Sequence, residues 1–266
     1  MEMNEHATTR LKLDSLREQL ANLIELLNHL ETVEGPNLRN AYMLAIGRLE
    51  FQAFELDMEC RKWRRRLQLR QTSLNRGERP DPAAIERLLD KEMAEYACRL
   101  EEWRRDCHAA YASTQMGYMP SAEMANLRGL YLDAVKRLHP DLNPDMPPQA
   151  ADLWNRLQKA YKEGRVLDVK FLATLVDDVV GARKTFPRTA EGLAAMRTEC
   201  ERLRSQMRAV EQEIEKKKRE KPLAYRLILE DKKLVARRQN ELKVQIEGLA
   251  RQIRTFETEW RAAHGR

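Results

Sequence analysis

Leu13, Leu16, Leu20, Leu23, Leu27 and Leu30 recur at intervals of 3, 4, 3, 4 and 3 residues. On a helix that spacing gathers the six leucines along one seam, and an apolar seam has to be buried against another element. The same rhythm returns at Leu193, Met196, Cys200, Leu203, Met207, Val210 and Ile214, and again at Leu242, Ile246, Leu249, Ile253, Phe256 and Trp260. Two looser stripes lie between. One runs through Leu38, Tyr42, Ala45, Leu49, Leu56 and Trp63, interrupted by Gln52 and Glu59. The other runs through Ile85, Leu89, Tyr96, Leu100, Trp103, Cys107 and Tyr111. No strand-like alternation of useful length occurs. The expected fold is all-α, with more than roughly 70% helix against a base rate near one third.

The breaks between seams suggest the organisation. The Gly35-Pro36 pair is expected to end the first helix. Residues 75–82 read as a linker, with Asp81 as N-cap and Pro82 opening the next helix. Gly117 and Pro120 close that helix. A charged run at 216–221, followed by Pro222, separates the last two seams, which suggests an antiparallel hairpin. Three regions result: an N-terminal helical region at 1–115, a central region at 116–181 and a basic coiled-coil hairpin at 182–266. Self-association through the seams is a further expectation.

Charged residues make up 34% of the chain, yet hydrophobic residues reach 42% and are regularly spaced, which argues against disorder. Cys60, Cys98, Cys107 and Cys200 are scattered and form no C-x-x-C pair, so neither a disulfide framework nor a metal knuckle is expected. No secretory leader and no membrane span is apparent, and the expected location is the cytoplasm. Cys107 and His108 are adjacent and point about 100° apart on a helix, which excludes a catalytic pair. No phosphate-binding glycine loop or hydrolase motif occurs. The reading is therefore a protein that is not an enzyme, with no cofactor.

Residues 127–164 differ from the rest: LRGLYLDAVKRLHPDLNPDMPPQAADLWNRLQKAYKEG. A helix carrying Leu127, Leu130, Tyr131, Ala134, Val135 and Leu138 must end at His139, because Pro140 disfavours helical geometry at the preceding residue. A loop with Pro144, Pro147 and Pro148 follows. A second helix then shows Leu153, Trp154, Leu157, Ala160 and Tyr161. Two amphipathic helices joined by a short loop fold as an antiparallel hairpin. The expected core pairs Tyr131, Val135 and Leu138 with Trp154, Leu157 and Tyr161. The expected loop presents His139, Asp141 and Asn143 to solvent.

This hairpin resembles helices two and three of the J-domain, the module of the DnaJ co-chaperones. The resemblance rests on about forty residues. His139-Pro140-Asp141 matches the family tripeptide, and Asn143 continues it. Lys136 and Arg137 match the basic second helix. Tyr131, and Trp154 with Leu157, Ala160 and Tyr161, match the packing pattern. The family's opening helix is absent, and residues 83–115 would stand in for it. The resemblance implies docking on an ATP-loaded DnaK-class chaperone and stimulation of its ATPase. Asp141 would be the key acceptor, His139 and Pro140 would shape the loop, and Lys136 and Arg137 would steer encounter. The helical arms would hold a client or complex. The alternative is a structural coiled-coil protein with a vestigial J-like hairpin, associated with nucleic acid. Residues 182–266 hold 22 Lys plus Arg against 13 Asp plus Glu. The run at 216–221 is their densest patch and has no interleaved aromatics for stacking on bases, so nucleic acid is the less favoured partner.

Overall fold

The computed structural model describes residues 2–115, 121–179 and 186–264. Helix accounts for 88% of the described residues, and no strand occurs among them. In chain order the elements are α1 (Glu2–His29), a π-helical turn (Leu30–Glu34), α2 (Gly35–Tyr42), a second π turn (Met43–Gly47), α3 (Arg48–Asn75), α4 (Pro82–Gln115), α5 (Ser121–Leu138), α6 (Pro148–Lys162), α7 (Val166–Thr174), α8 (Val176–Val179), α9 (Ala190–Arg219), α10 (Tyr225–Glu230) and α11 (Lys232–His264). The break expected at Gly117 and Pro120, and the boundary at 181, fall outside the described residues.

Gly35-Pro36 does not end the helix. The π turn ahead of it has the Gly35 N–H donate to the Leu30 carbonyl, five residues back. This wider turn accommodates a proline that has no N–H to offer the ladder. A Cβ at position 35 would lie 3.0 Å from the Leu30 oxygen and 3.2 Å from Cγ of Pro222, so this close approach favours glycine.

The chain divides into two compact units, each assembled from separated segments. Unit 1 comprises Met1–Asn37 and Tyr118–Ala224; unit 2 comprises Leu38–Gly117 and Tyr225–Arg266. The division therefore falls differently from the three-region reading of the sequence.

In unit 1, α1 packs between α5 and α9, and α6, α7 and α8 gather around α5. Glu25 of α1 pairs with Arg128 of α5, and Glu18 with Lys136, so α1 and α5 are antiparallel. Along α9 the direction reverses. His6 lies 3.0 Å from the Pro187 carbonyl, Glu5 pairs with Arg197, and Glu31 lies 2.8 Å from Lys217. Helices α1 and α9 therefore run parallel. The core joins Leu13, Leu16, Leu20 and Ile24 to Tyr131, Val135, Leu138 and Leu157 and to Met196, Cys200 and Leu203. Leu23 and Leu27 are only half-buried. Ala21, Ile24 and Glu25 are buried beside them, so the buried face of α1, which meets both α5 and α9, is wider than the leucine seam.

In unit 2, α3 lies between α4 and α11. Asp81 caps α4 through its carboxylate, which accepts the Ala83 N–H at 2.9 Å. Arg66 pairs with Glu86 and Arg104 with Glu55, so α3 and α4 are antiparallel. Arg238 of α11 pairs with Glu50, the Cys60 thiol donates to Gln252, and Arg70 donates to the Ala263 carbonyl. Helices α3 and α11 therefore run parallel. Helices α9 and α11 thus each pair with an N-terminal helix of their own unit. Trp63 meets Trp260 edge-on at 6.4 Å, and Trp103 packs against Phe51 and Phe54. Cys60 and Cys200 are buried, whereas Cys98 is exposed.

Candidate functional site: the loop after α5

The loop is defined by how α5 ends. The His139 N–H makes the last helical bond, to Val135 at 3.0 Å, and the Leu142 and Asn143 N–H groups both return to the His139 carbonyl at 3.0 Å. The Asn143 side-chain amide donates to the carbonyls of Lys136 (3.3 Å) and His139 (3.4 Å). Asn143 thus caps carbonyls that a helix end leaves without partners. The Asp141 N–H donates to Nδ1 of His139 at 3.2 Å. That bond makes Nδ1 the acceptor, which assigns the proton of the neutral ring to Nε2.

Below the loop lies the hairpin core. Tyr131, Val135, Leu138, Trp154, Leu157 and Tyr161 are all buried. Tyr131 stacks on Tyr161 with centroids 3.9 Å apart and on Trp154 at 5.8 Å. His139 meets Trp154 edge-on at 5.2 Å, and Leu142 is inserted into the same core. Burial lowers the His139 pKa from its ordinary 6.5, opposed by the Asp141 charge. Burial also pushes the Tyr161 hydroxyl up to about 12 and raises that of Tyr131.

The expectation that His139, Asp141 and Asn143 all face solvent is corrected: each is half-buried, and only Pro140 of the tripeptide is exposed. The cover comes from α9. Arg202 donates to the Asp141 carbonyl at 2.8 Å while Glu199 holds it through a bidentate pair at 2.7 and 2.8 Å. The Asp141 carboxylate itself makes no hydrogen bond or ion pair among the described residues. The basic pair is engaged, Lys136 with Glu18 and Arg137 with Asp177. Beside the loop lies a groove of about 830 Å³, where the charges of Glu18, Lys136 and Glu199 face the apolar Leu142, Met146 and Phe186.

No family model, curated protein or solved structure matches this chain.

Sequence reasoning missed Arg202 and Glu199, which lie about sixty positions from the loop in a heptad helix whose charges read as solvated. It also missed Glu25, which is 2% exposed and clasped by Arg128 through two bonds of 2.7 Å. The only signal for Glu25 was its place beside Ile24 on the buried stripe of α1. Among the described residues no cluster of three or more histidines, cysteines or carboxylates has metal-binding geometry, and no helix is long and apolar enough to cross a membrane.

Proposed function

We propose that the α5–α6 hairpin is a J-like docking module for a DnaK-class chaperone and that the long helices of the chain hold its client or complex. The observation that carries this reading is the Asp141 carboxylate. It is an acceptor-only group on a loop of defined shape that follows two basic residues, with no hydrogen bond or ion pair of its own among the described residues. Lys136 and Arg137 are compatible with docking although they are paired. Surface ion pairs contribute about 0–1 kcal/mol and exchange readily for a partner's carboxylates. Any gain in ATP hydrolysis would belong to the chaperone, through a shift toward its hydrolysis-competent conformation.

The test is a single-turnover ATPase assay with a cytosolic DnaK-class chaperone. Wild type should stimulate hydrolysis, and Asp141→Asn should abolish the effect without unfolding the hairpin. Lys136→Ala with Arg137→Ala should slow association, and more so at low salt, because such charges act on encounter and are screened within roughly 10 Å at 0.1 M. Equal behaviour of wild type and Asp141→Asn with every such chaperone of the host would end the docking reading. The second reading, a helical scaffold with a vestigial hairpin, is favoured by one observation: Arg202 ties the loop to α9. It would then become the better account.

A further inference from the structure

The positive charge of the chain resides in unit 2, with 25 Lys plus Arg against 19 Asp plus Glu; unit 1 is balanced, with 23 of each. Unit 1 contains the lysine run at 216–221, and its charges are largely answered. Lys216 pairs with Glu213, Lys217 with Glu31 and Lys218 with Glu215. The densest basic stretch of the sequence is thus largely neutralised within its own unit.

Helix α11 is different. Its buried side carries Leu242 and Ile253, with Ile246, Leu249, Phe256 and Trp260 partly covered. At about 100° per residue, Lys233, Lys243, Glu247, Arg251, Arg254 and Arg261 share one outward arc of about 80°. Ala236, Asn240 and Thr258 complete the row, and every member is exposed. Five of the nine are cations and one is an acid. None of the five has an ion-pair partner among the described residues. Arg251 and Arg254 bend back only to carbonyls of their own helix, through Nε at 3.3 Å, which leaves the guanidinium ends free. From Lys233 to Arg261 the row spans about 42 Å at 1.5 Å per residue.

We infer that this row of α11 is a binding surface for the phosphate backbone of double-stranded nucleic acid. A straight line of unpaired cations matches a regular line of phosphates, and the affinity would come from counterion release. The row holds no aromatic side chain on which unpaired bases would stack, which points to a duplex. It holds no bulky apolar side chain either, whereas a membrane-surface helix presents one face of them to the acyl boundary. Asn240 and Thr258 are too few to read base edges, so the binding is expected to be independent of sequence.

The experiment uses the full chain and fluorescein-labelled duplexes of about 20 base pairs, DNA in one arm and RNA in the other, at roughly 50 and 200 mM salt. Wild type should bind at least one duplex, with affinity falling steeply as salt rises. Lys243→Gln, Arg251→Gln, Arg254→Gln and Arg261→Gln together should weaken binding at low salt by at least about tenfold. They should also flatten the slope of log K against log salt by about 3–4, near 0.9 for each phosphate contact removed. Because all four positions are exposed, circular dichroism should be unchanged. Lys216→Gln, Lys217→Gln and Lys218→Gln together should bind as wild type does. The inference is overturned if wild type binds neither duplex at low salt. It is equally overturned if the fourfold variant binds as wild type, if the lysine-run variant loses as much, or if phosphatidylserine vesicles bind more tightly than either duplex.

Discussion

Units 1 and 2 share a plan, a long N-terminal helix with a C-terminal helix running parallel beside it, but they are held by different means. Unit 1 buries one continuous cluster from α1, α5, α6, α7 and α9, with stacked aromatic rings inside it and a buried carboxylate, Glu25, clasped by a half-exposed arginine. The main buried cluster of unit 2 is thin: Tyr42, Met43, Ile46, Ala53, Ala110 and Leu242. Its helices are aligned instead by cross-helix pairs, with Arg66 on Glu86, Arg65 on Glu92 and Lys62 on Asp90. A loop that has to keep one shape needs a rigid core beneath it, and unit 1 supplies that. A helix that presents charge over a long ridge needs only to be kept straight.

The comparison can be tested by urea melts in which buried Cys200 reports on unit 1 and buried Cys60 on unit 2, each labelled in a brief pulse at fixed pH. The largest expected effect is that of Trp154→Ala. It removes a ring packed against Tyr131 and His139, and should destabilise unit 1 by about 3–5 kcal/mol with the Cys60 midpoint unmoved. If both midpoints fell together, the two units would be one cooperative body.

Next comes a contrast between ion pairs. Arg128→Ala strands the Glu25 carboxylate in the core and should cost about 3 kcal/mol in unit 1, near the lower end for a buried pair because Arg128 itself is partly exposed. In unit 2, Arg66→Ala loses a half-exposed pair and a contact over the Trp63 ring, and should cost about 1 kcal/mol. Equal losses would erase the distinction between a buried and a surface clasp.

The smallest effect expected is that of pH. His139 and His29 are both held below 6.5, chiefly by burial. The unfolded chain binds their protons first, so unit 1 should lose stability as pH falls below about 6.5, levelling off beneath the folded values. In unit 2, hydrogen bonds from Arg66 hold Glu86 below its ordinary 4.5. That contribution is present above 4.5 and lost as pH falls through the lower folded value. Between pH 7.5 and 5.5 the Cys200 midpoint should therefore drop while the Cys60 midpoint holds. His139→Gln should remove part of the drop.

Much of the candidate site was legible in the sequence. Pro140 dictated where α5 stops, and the spacing of Trp154, Leu157 and Tyr161 dictated which face of α6 is buried. Its exposure was not legible. Arg202 reaches the loop from a helix whose sequence shows only a seam and alternating charges, and nothing local announces which carbonyl a surface guanidinium will find. Gly35-Pro36 misled for a related reason: a π turn changes the hydrogen-bond register ahead of a proline, and that adjustment has no compositional signature.

By itself the sequence determined the helices, their buried stripes, the linker at 75–82 and the hairpin around His139-Pro140-Asp141. Each of these follows from local sterics or from the periodicity of apolar residues along one chain segment. Only the tertiary structure decided that α9 lies along α1, that α11 lies along α3, and that both pairs are parallel. An apolar stripe requires burial but is indifferent to partner and direction, because the hydrophobic effect is non-directional. The choice was left to contacts such as Glu31 with Lys217 and Cys60 with Gln252, which exist only once both helices are in place.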